Sequence, residues 1–146
     1  MSIESYISQL EFFGDNLNKI VAKVGVKSER LLVGYVQKRL FDTGLDANER
    51  PIGQYKTETK INKIFKRQPA DHITLKDTSD WYNAMFVGSD SDELFISSKN
   101  WKTSVLESNY GSAILGLTET ETDYFIQIRV NPALQRILND LPDIEI

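Results

Sequence analysis

The sequence predicts an α+β fold: N-terminal helices and a C-terminal helix packed on a small, mostly antiparallel sheet, with a long extended arm. Three observations predict it. Apolar residues recur every three or four positions at the start of the chain. Two short apolar runs flank the polar turn Ser89-Asp-Ser-Asp92. A capping box, Thr118-Glu-Thr-Glu121, opens a final apolar stripe.

The first stripe is Ile3, Ile7, Leu10, Phe13, Leu17, Ile20, Val21 and Val24, one face of an amphipathic helix. Gly25 is expected to stop it, because glycine accepts the left-handed backbone of helix ends. Ser28 is the expected N-cap of a second helix, with Glu29 in its first turn and Leu31, Leu32, Tyr35, Val36 and Leu40 buried. That helix ends at Asp42-Thr-Gly44. The pair is expected to form a hairpin or to lie along one sheet face.

Residues 43–73 read as mostly irregular, with turn chemistry at Asp46-Ala-Asn48 and Arg50-Pro-Ile-Gly53. A structureless run of about 30 residues is unusual inside a compact domain and points to a functional arm or to disorder, with Tyr55, Ile61, Ile64 and Phe65 arguing against full disorder. Within it, Tyr55 to Lys66 suits a short helix with Ile61, Ile64 and Phe65 on one side, needing partners on this domain or another chain.

His72 to Leu75 reads as a short strand, and Asp77 or Thr78 as the cap of a short helix carrying Trp81, Tyr82 and Met85. Phe86-Val-Gly88 and Glu93 to Ser98 read as paired strands, followed by a helix from Trp101 to Asn109 closed by Tyr110-Gly111. Ala113 to Leu117 is a buried strand or a helix approach. The last helix carries Tyr124, Phe125, Ile128 and Val130. Pro132 kinks or restarts it, with Asn131 as cap and Leu134, Ile137, Leu138 and Leu141 as the apolar face. From Pro142 the expectation is a fraying tail. The reading is one domain over 1–146: a helical start (1–42), the arm (43–73), sheet and C-terminal helices (74–141), and the tail (142–146).

The chain has 146 residues, 40% of them apolar, enough for one ordinary core that buries roughly 70% of the unfolded surface. No cysteine is present, which excludes disulfides and thiolate metal sites. No apolar run approaches the roughly 20 residues of a membrane span, and the first residues lack a secretory pattern. A net charge of −4 argues against general nucleic-acid binding. The charge is uneven, however. Lys56, Lys60, Lys63, Lys66 and Arg67 form a basic stretch opposed only by Glu58, while acids cluster at Asp90 to Glu93, Glu119 to Asp123 and the C-terminal end. Such patches are either solvated surface or complementary faces that pair between subunits.

Catalytic signals are missing. His72 has no second histidine or cysteine beside it for a metal site or a nucleophilic dyad. Asp90, Asp92 and Glu93 lack calcium-loop spacing, as do Asp42, Asp46 and Asn48, and both sets read as turns. Asp77 and Asp80 sit at a helix start, where carboxylates favour the helix dipole. No phosphate loop or nucleophile elbow occurs. The expectation is therefore no enzyme, no cofactor and no metal. A small hydrolase using Asp77, Asp80 and His72 is the weakest reading. Trp81, Tyr82, Trp101 and Tyr110 read as core or sheet-edge packing, with interface anchoring as the alternative.

A family likeness follows from the order of several short pieces: Asp46-Ala-Asn48, Pro51-Ile-Gly-Gln-Tyr55, Thr59-Lys60, Leu75-Lys-Asp-Thr78 with Asp80-Trp81, Phe86 to Ser98, Tyr110-Gly111 and Leu115-Gly-Leu-Thr-Glu119. In this order the chain resembles the tail-completion and virion-morphogenesis proteins of tailed bacteriophages, a group that includes Mu-type and lambdoid neck proteins. The likeness covers roughly Leu31 to Leu138. The family's His-Gln before the aromatic-Gly pair is missing, and Tyr55 stands where Trp is usual.

The resemblance implies a structural virion protein in the head-tail connector, or neck, ring stack below the portal. It would complete the tail and keep the DNA channel continuous. The implied partners are copies of itself in a closed ring, the portal or adaptor protein and other neck or tail proteins. Genomic DNA would be met only as it passes through the channel, and no membrane is involved. The implied location is the virion, after synthesis in the bacterial cytoplasm. The arm would supply the interface through Asp46, Asn48, Pro51, Tyr55, Lys56, Lys60, Lys63, Lys66 and Arg67. The alternative is a nucleic-acid-binding or assembly factor that uses the basic stretch 56–67.

Overall fold

Two hydrophobic clusters organise the chain, joined by Val33, Ile96 and Leu117, which pack against both. The computed structural model describes residues 2–140. Leu141 and the tail expected from Pro142 lie outside the described residues. The fold is α+β, with helices packed on one antiparallel hairpin.

The first apolar stripe divides into two helices, α1 (Ile3–Asp15) and α2 (Leu17–Lys27). Asn16 makes the break. Its backbone leaves the helical region, and its side-chain Nδ2 donates to the Phe12 carbonyl at 2.7 Å. Short polar side chains compete in this way with the helix ladder. Gly25 does not stop the second helix, correcting the expectation. It lies inside α2, where a Cβ would stand 2.3 Å from Leu94 Cδ1, so its role is close approach of helix and sheet.

Helix α3 (Glu29–Thr43) follows after the single bent residue Ser28, whose side chain makes no capping bond. The ladder continues across it through Ser28 N–H to the Val24 carbonyl and Leu32 N–H to the Ser28 carbonyl. The two helices therefore run on rather than fold into a hairpin, and both pack on the sheet. Glu29 Oε1 accepts the Val87 N–H at 3.0 Å, tying the start of α3 to that sheet. Helix α3 ends as expected at Gly44, in the left-handed region at φ 64°.

The arm, residues 43–73, is held against the body. Leu45 and Pro51 form an isolated antiparallel bridge. Asp46 Oδ1 accepts the N–H groups of Asn48 and Arg50, an Asx-type turn. Helix α4 (Thr57–Phe65) follows.

The strand expected at His72 to Leu75 does not form. Thr74 is buried, and its backbone bonds go to side chains: its N–H to Tyr55 Oη at 2.7 Å, its carbonyl to the Tyr82 hydroxyl. Leu75 has φ 59°, outside strand geometry. The cap of the short helix α5 (Asp80–Asn83) is Ser79 in the left-handed region, not Asp77 or Thr78.

Strands β1 (Met85–Asp90) and β2 (Glu93–Ser98) pair antiparallel with Asp90 opposite Glu93. The turn residues Ser91 and Asp92 have φ of 50° and 63°, the geometry of a two-residue type I′ turn. Val87 and Ile96 face each other on the inner side. On the outer side Phe95 lies over Gly88, and its ring meets Phe86 edge-on with centroids 5.9 Å apart.

Helix α6 (Thr103–Tyr110) is two residues shorter at its start than expected. Ser112–Leu115 is a single 3-10 turn that buries Ile114 and Leu115, not a strand. Helix α7 (Glu119–Phe125) carries the expected capping box: Thr118 Oγ1 accepts the Glu121 N–H and Glu121 Oε1 accepts the Thr118 N–H. Its continuation is a π-helical stretch, Ile126–Val130, leading into α8 (Asn131–Asn139). Asn131 is a helical residue and not a cap. The wider π turn accommodates Pro132, which has no N–H to give to the ladder.

Candidate functional site: a lysine-lined cleft and two uncovered helices

Arg39 is the most heavily bonded side chain of the interior, and sequence reasoning did not single it out. Only 8% exposed, it donates from Nε to the Leu45 carbonyl at 3.1 Å, and from Nη2 to the Gly116 carbonyl at 2.7 Å and the Ile114 carbonyl at 3.5 Å. Nη1 pairs with Glu121, which also closes the capping box of α7. Burial lowers the Arg39 pKa from its ordinary value, and the neighbouring Glu121 carboxylate opposes that shift. The pair joins α3, the root of the arm, the 3-10 turn and α7. Its role is to hold the frame on which the arm sits.

The expected interface residues divide by duty. Asp46 shapes a turn and Pro51 sits in the bridge. The Asn48 N–H is one of the groups held by Asp46. Tyr55 reaches inward to Thr74. Lys63 is buried; its Nζ donates to Gln68 Oε1 and the Lys76 carbonyl and lies 5.3 Å from the centre of the Tyr55 ring. Lys66 pairs with Asp77 at 2.7 Å. The Lys66 hydrogen bond holds the Asp77 carboxyl below the usual range. Lys60 bonds Gln54 at the surface, while Lys56 and Arg67 are exposed. Nine neighbours in a sequence list thus become part scaffold and part surface.

A cleft of about 400 Å³ lies between α4, α5 and α6, walled by Tyr55, Lys63, Lys66, Trp81, Lys102 and Tyr110. Lys76 and Lys102 belong to it although no sequence signal marked them. Trp81 and Tyr82 are core residues: Trp81 Nε1 donates to Thr103 Oγ1 at 3.0 Å, and burial raises the Tyr82 hydroxyl above its ordinary pKa. Trp101, by contrast, is 76% exposed. His72 uses Nε2 to bond the Phe41 carbonyl at 2.6 Å. Among the described residues, no three His, Cys, Asp or Glu side chains gather where a metal ion could be held.

Two helices show outward apolar surface. Helix α1 buries none of its residues; Ile3, Ile7 and Leu10 are exposed along one stripe, and Phe12 is 71% exposed. Phe12, Phe13 and Ile20 also border an open groove of about 530 Å³ beside Ile137. On α4, Ile61 and Ile64 are exposed, and Phe65 at its end is 83% exposed. Among the described residues, the partners that the sequence required for this apolar side of α4 are not supplied. No helix of the described residues is long and apolar enough to cross a membrane.

No known protein family, characterised protein or solved structure matches this chain.

Proposed function

We propose that the protein is a structural subunit of a tailed-bacteriophage virion, part of the neck ring stack below the portal, working by assembly and not by turnover. The observation that carries this reading is the uncovered apolar surface of α1 and α4. A helix of 13 residues without a buried face is marginal in water, so α1 calls for a covering surface. The order of motifs from Asp46 to Glu119 supports a neck protein in particular. The cleft lysines support assembly more than nucleic-acid binding, since Lys63 is buried and Lys66 is paired.

The experiment is the copy number of this polypeptide in purified particles, set against the portal protein by quantitative peptide mass spectrometry. A number equal to the portal's supports a ring of matching symmetry, and half of it supports a six-fold tail-side ring. Absence from mature particles removes the structural reading.

A further inference from the structure

We infer that the outer face of α1 docks on α4 of a second copy, head to tail, so that each copy gives one face and receives the other. The inference rests on the assembly reading above and names its contact.

Both faces are apolar and exposed. Ile3, Ile7 and Leu10 line α1, and Ile61, Ile64 and Phe65 stand out from α4. Their charges are opposite. Residues 2–18 contain Glu4, Glu11 and Asp15 and no lysine or arginine. At helical spacing these three acids form a stripe beside Ile3, Ile7 and Leu10. Around α4, Lys56 and Arg67 are exposed and Lys60 is half-buried at the edge, against the one acid Glu58. Lys63 and Lys66 are already engaged within the chain.

This distribution chooses between symmetric and head-to-tail contact. Pairing α1 with a second α1 sets three carboxylates against three, and pairing α4 with α4 sets cations against cations. Like charges set against each other across an interface reject the wrong partner. Pairing α1 with α4 covers both apolar faces and neutralises both charge sets. It also leaves one free face at each end of a dimer. The contact therefore propagates, and closes into a ring where the rotation permits.

The chain has no cysteine, so single replacements report cleanly. Full-length Ile7→Cys and Ile64→Cys proteins are purified separately, mixed and oxidised. Both sites are exposed, so neither replacement disturbs the core. The expected result is a heterodimer in excess of either homodimer by about tenfold at low salt, reduced when Glu11→Lys and Asp15→Lys are added to the Ile7→Cys chain. Homodimers in statistical proportion, or no cross-link at any concentration, overturn the inference. So does binding of a duplex DNA fragment through Lys56, Lys60 and Arg67 in place of the cross-link, which gives α4 to nucleic acid. If the cross-link forms but particles lack the protein, the contact stands and the neck assignment falls. If particles contain the protein and the cross-link fails, the contact falls alone.

Discussion

Replacing Arg39 by Met tests the interior most directly. Met keeps an unbranched stem, so packing along the side chain is largely preserved and the charged head alone is lost. Three consequences follow. Glu121, whose side chain is only 14% exposed, keeps a carboxylate without its cation. The Gly116 carbonyl, bonded at 2.7 Å, loses its donor. The Leu45 carbonyl at the root of the arm loses one at 3.1 Å. Removing one partner of a buried ion pair costs about 3–5 kcal/mol, because the remaining charge is stranded. For a chain of this size, that lowers the melting temperature by roughly 10–15 °C.

Glu121→Gln keeps a capping acceptor for Thr118, and Arg39 retains its carbonyl partners, so its cost is about 1–3 kcal/mol. The double variant strands no carboxylate. Its cost falls short of the sum of the singles by about 1 kcal/mol or more. The assay is urea unfolding followed by tryptophan fluorescence, with buried Trp81 as reporter of the core. A loss below about 1 kcal/mol for Arg39→Met, or strict additivity in the double variant, refutes the reasoning.

Two further outcomes are expected. Gly25→Ala gains the same helix propensity as other Gly→Ala changes but sets its methyl against the Leu94 side chain, for a net loss of about 0–2 kcal/mol. Gly34→Ala, with open space around it in α3, stabilises by about 0.5–1 kcal/mol, and urea midpoints separate the two. The Asp77 carboxyl is held below its ordinary pKa by the Lys66 hydrogen bond, so its contribution is present above the unfolded value of 3.8 and is lost as pH falls through the lower folded value. Both side chains are more than half exposed, so the contribution is only about 0.2–1 kcal/mol. Asp77→Asn is less stable than wild type by that amount at neutral pH and equal to it at low pH; an equal deficit at both ends contradicts the assignment.

Local chemistry was legible where it depends on neighbours in sequence. The Thr118–Glu121 capping box, the Gly44 helix end, the hairpin around Ser91-Asp92 and the short helix at 57–65 all follow from such signals. Their partners lie within a few residues, so no knowledge of the fold is needed. The apolar stripe beginning at Ile3 was also legible, although the break at Asn16 was not, because it depends on one side chain choosing a backbone carbonyl.

The candidate site was legible in part. Lys56, Lys60 and Arg67 remain surface cations, but Lys63 turns inward to acceptors at Gln68 and Lys76, and Tyr55 turns inward to accept the Thr74 N–H. Arg39 sits in an ordinary helical pattern with nothing to mark it, and its partners at Gly116 and Glu121 are far along the chain.

The amino-acid sequence by itself determined the α+β class, the hairpin, the Gly44 helix end, the capping box that opens α7 and the absence of cysteine, since these follow from periodicity, turn residues and composition. Tertiary structure alone decided that Gly25 serves an approach to Leu94, that Thr74 gives its backbone bonds to two tyrosines, and that the described residues leave the faces of α1 and α4 uncovered. The physical reason is that an apolar stripe states a need for burial, whereas which surface meets that need depends on how the rest of the chain packs.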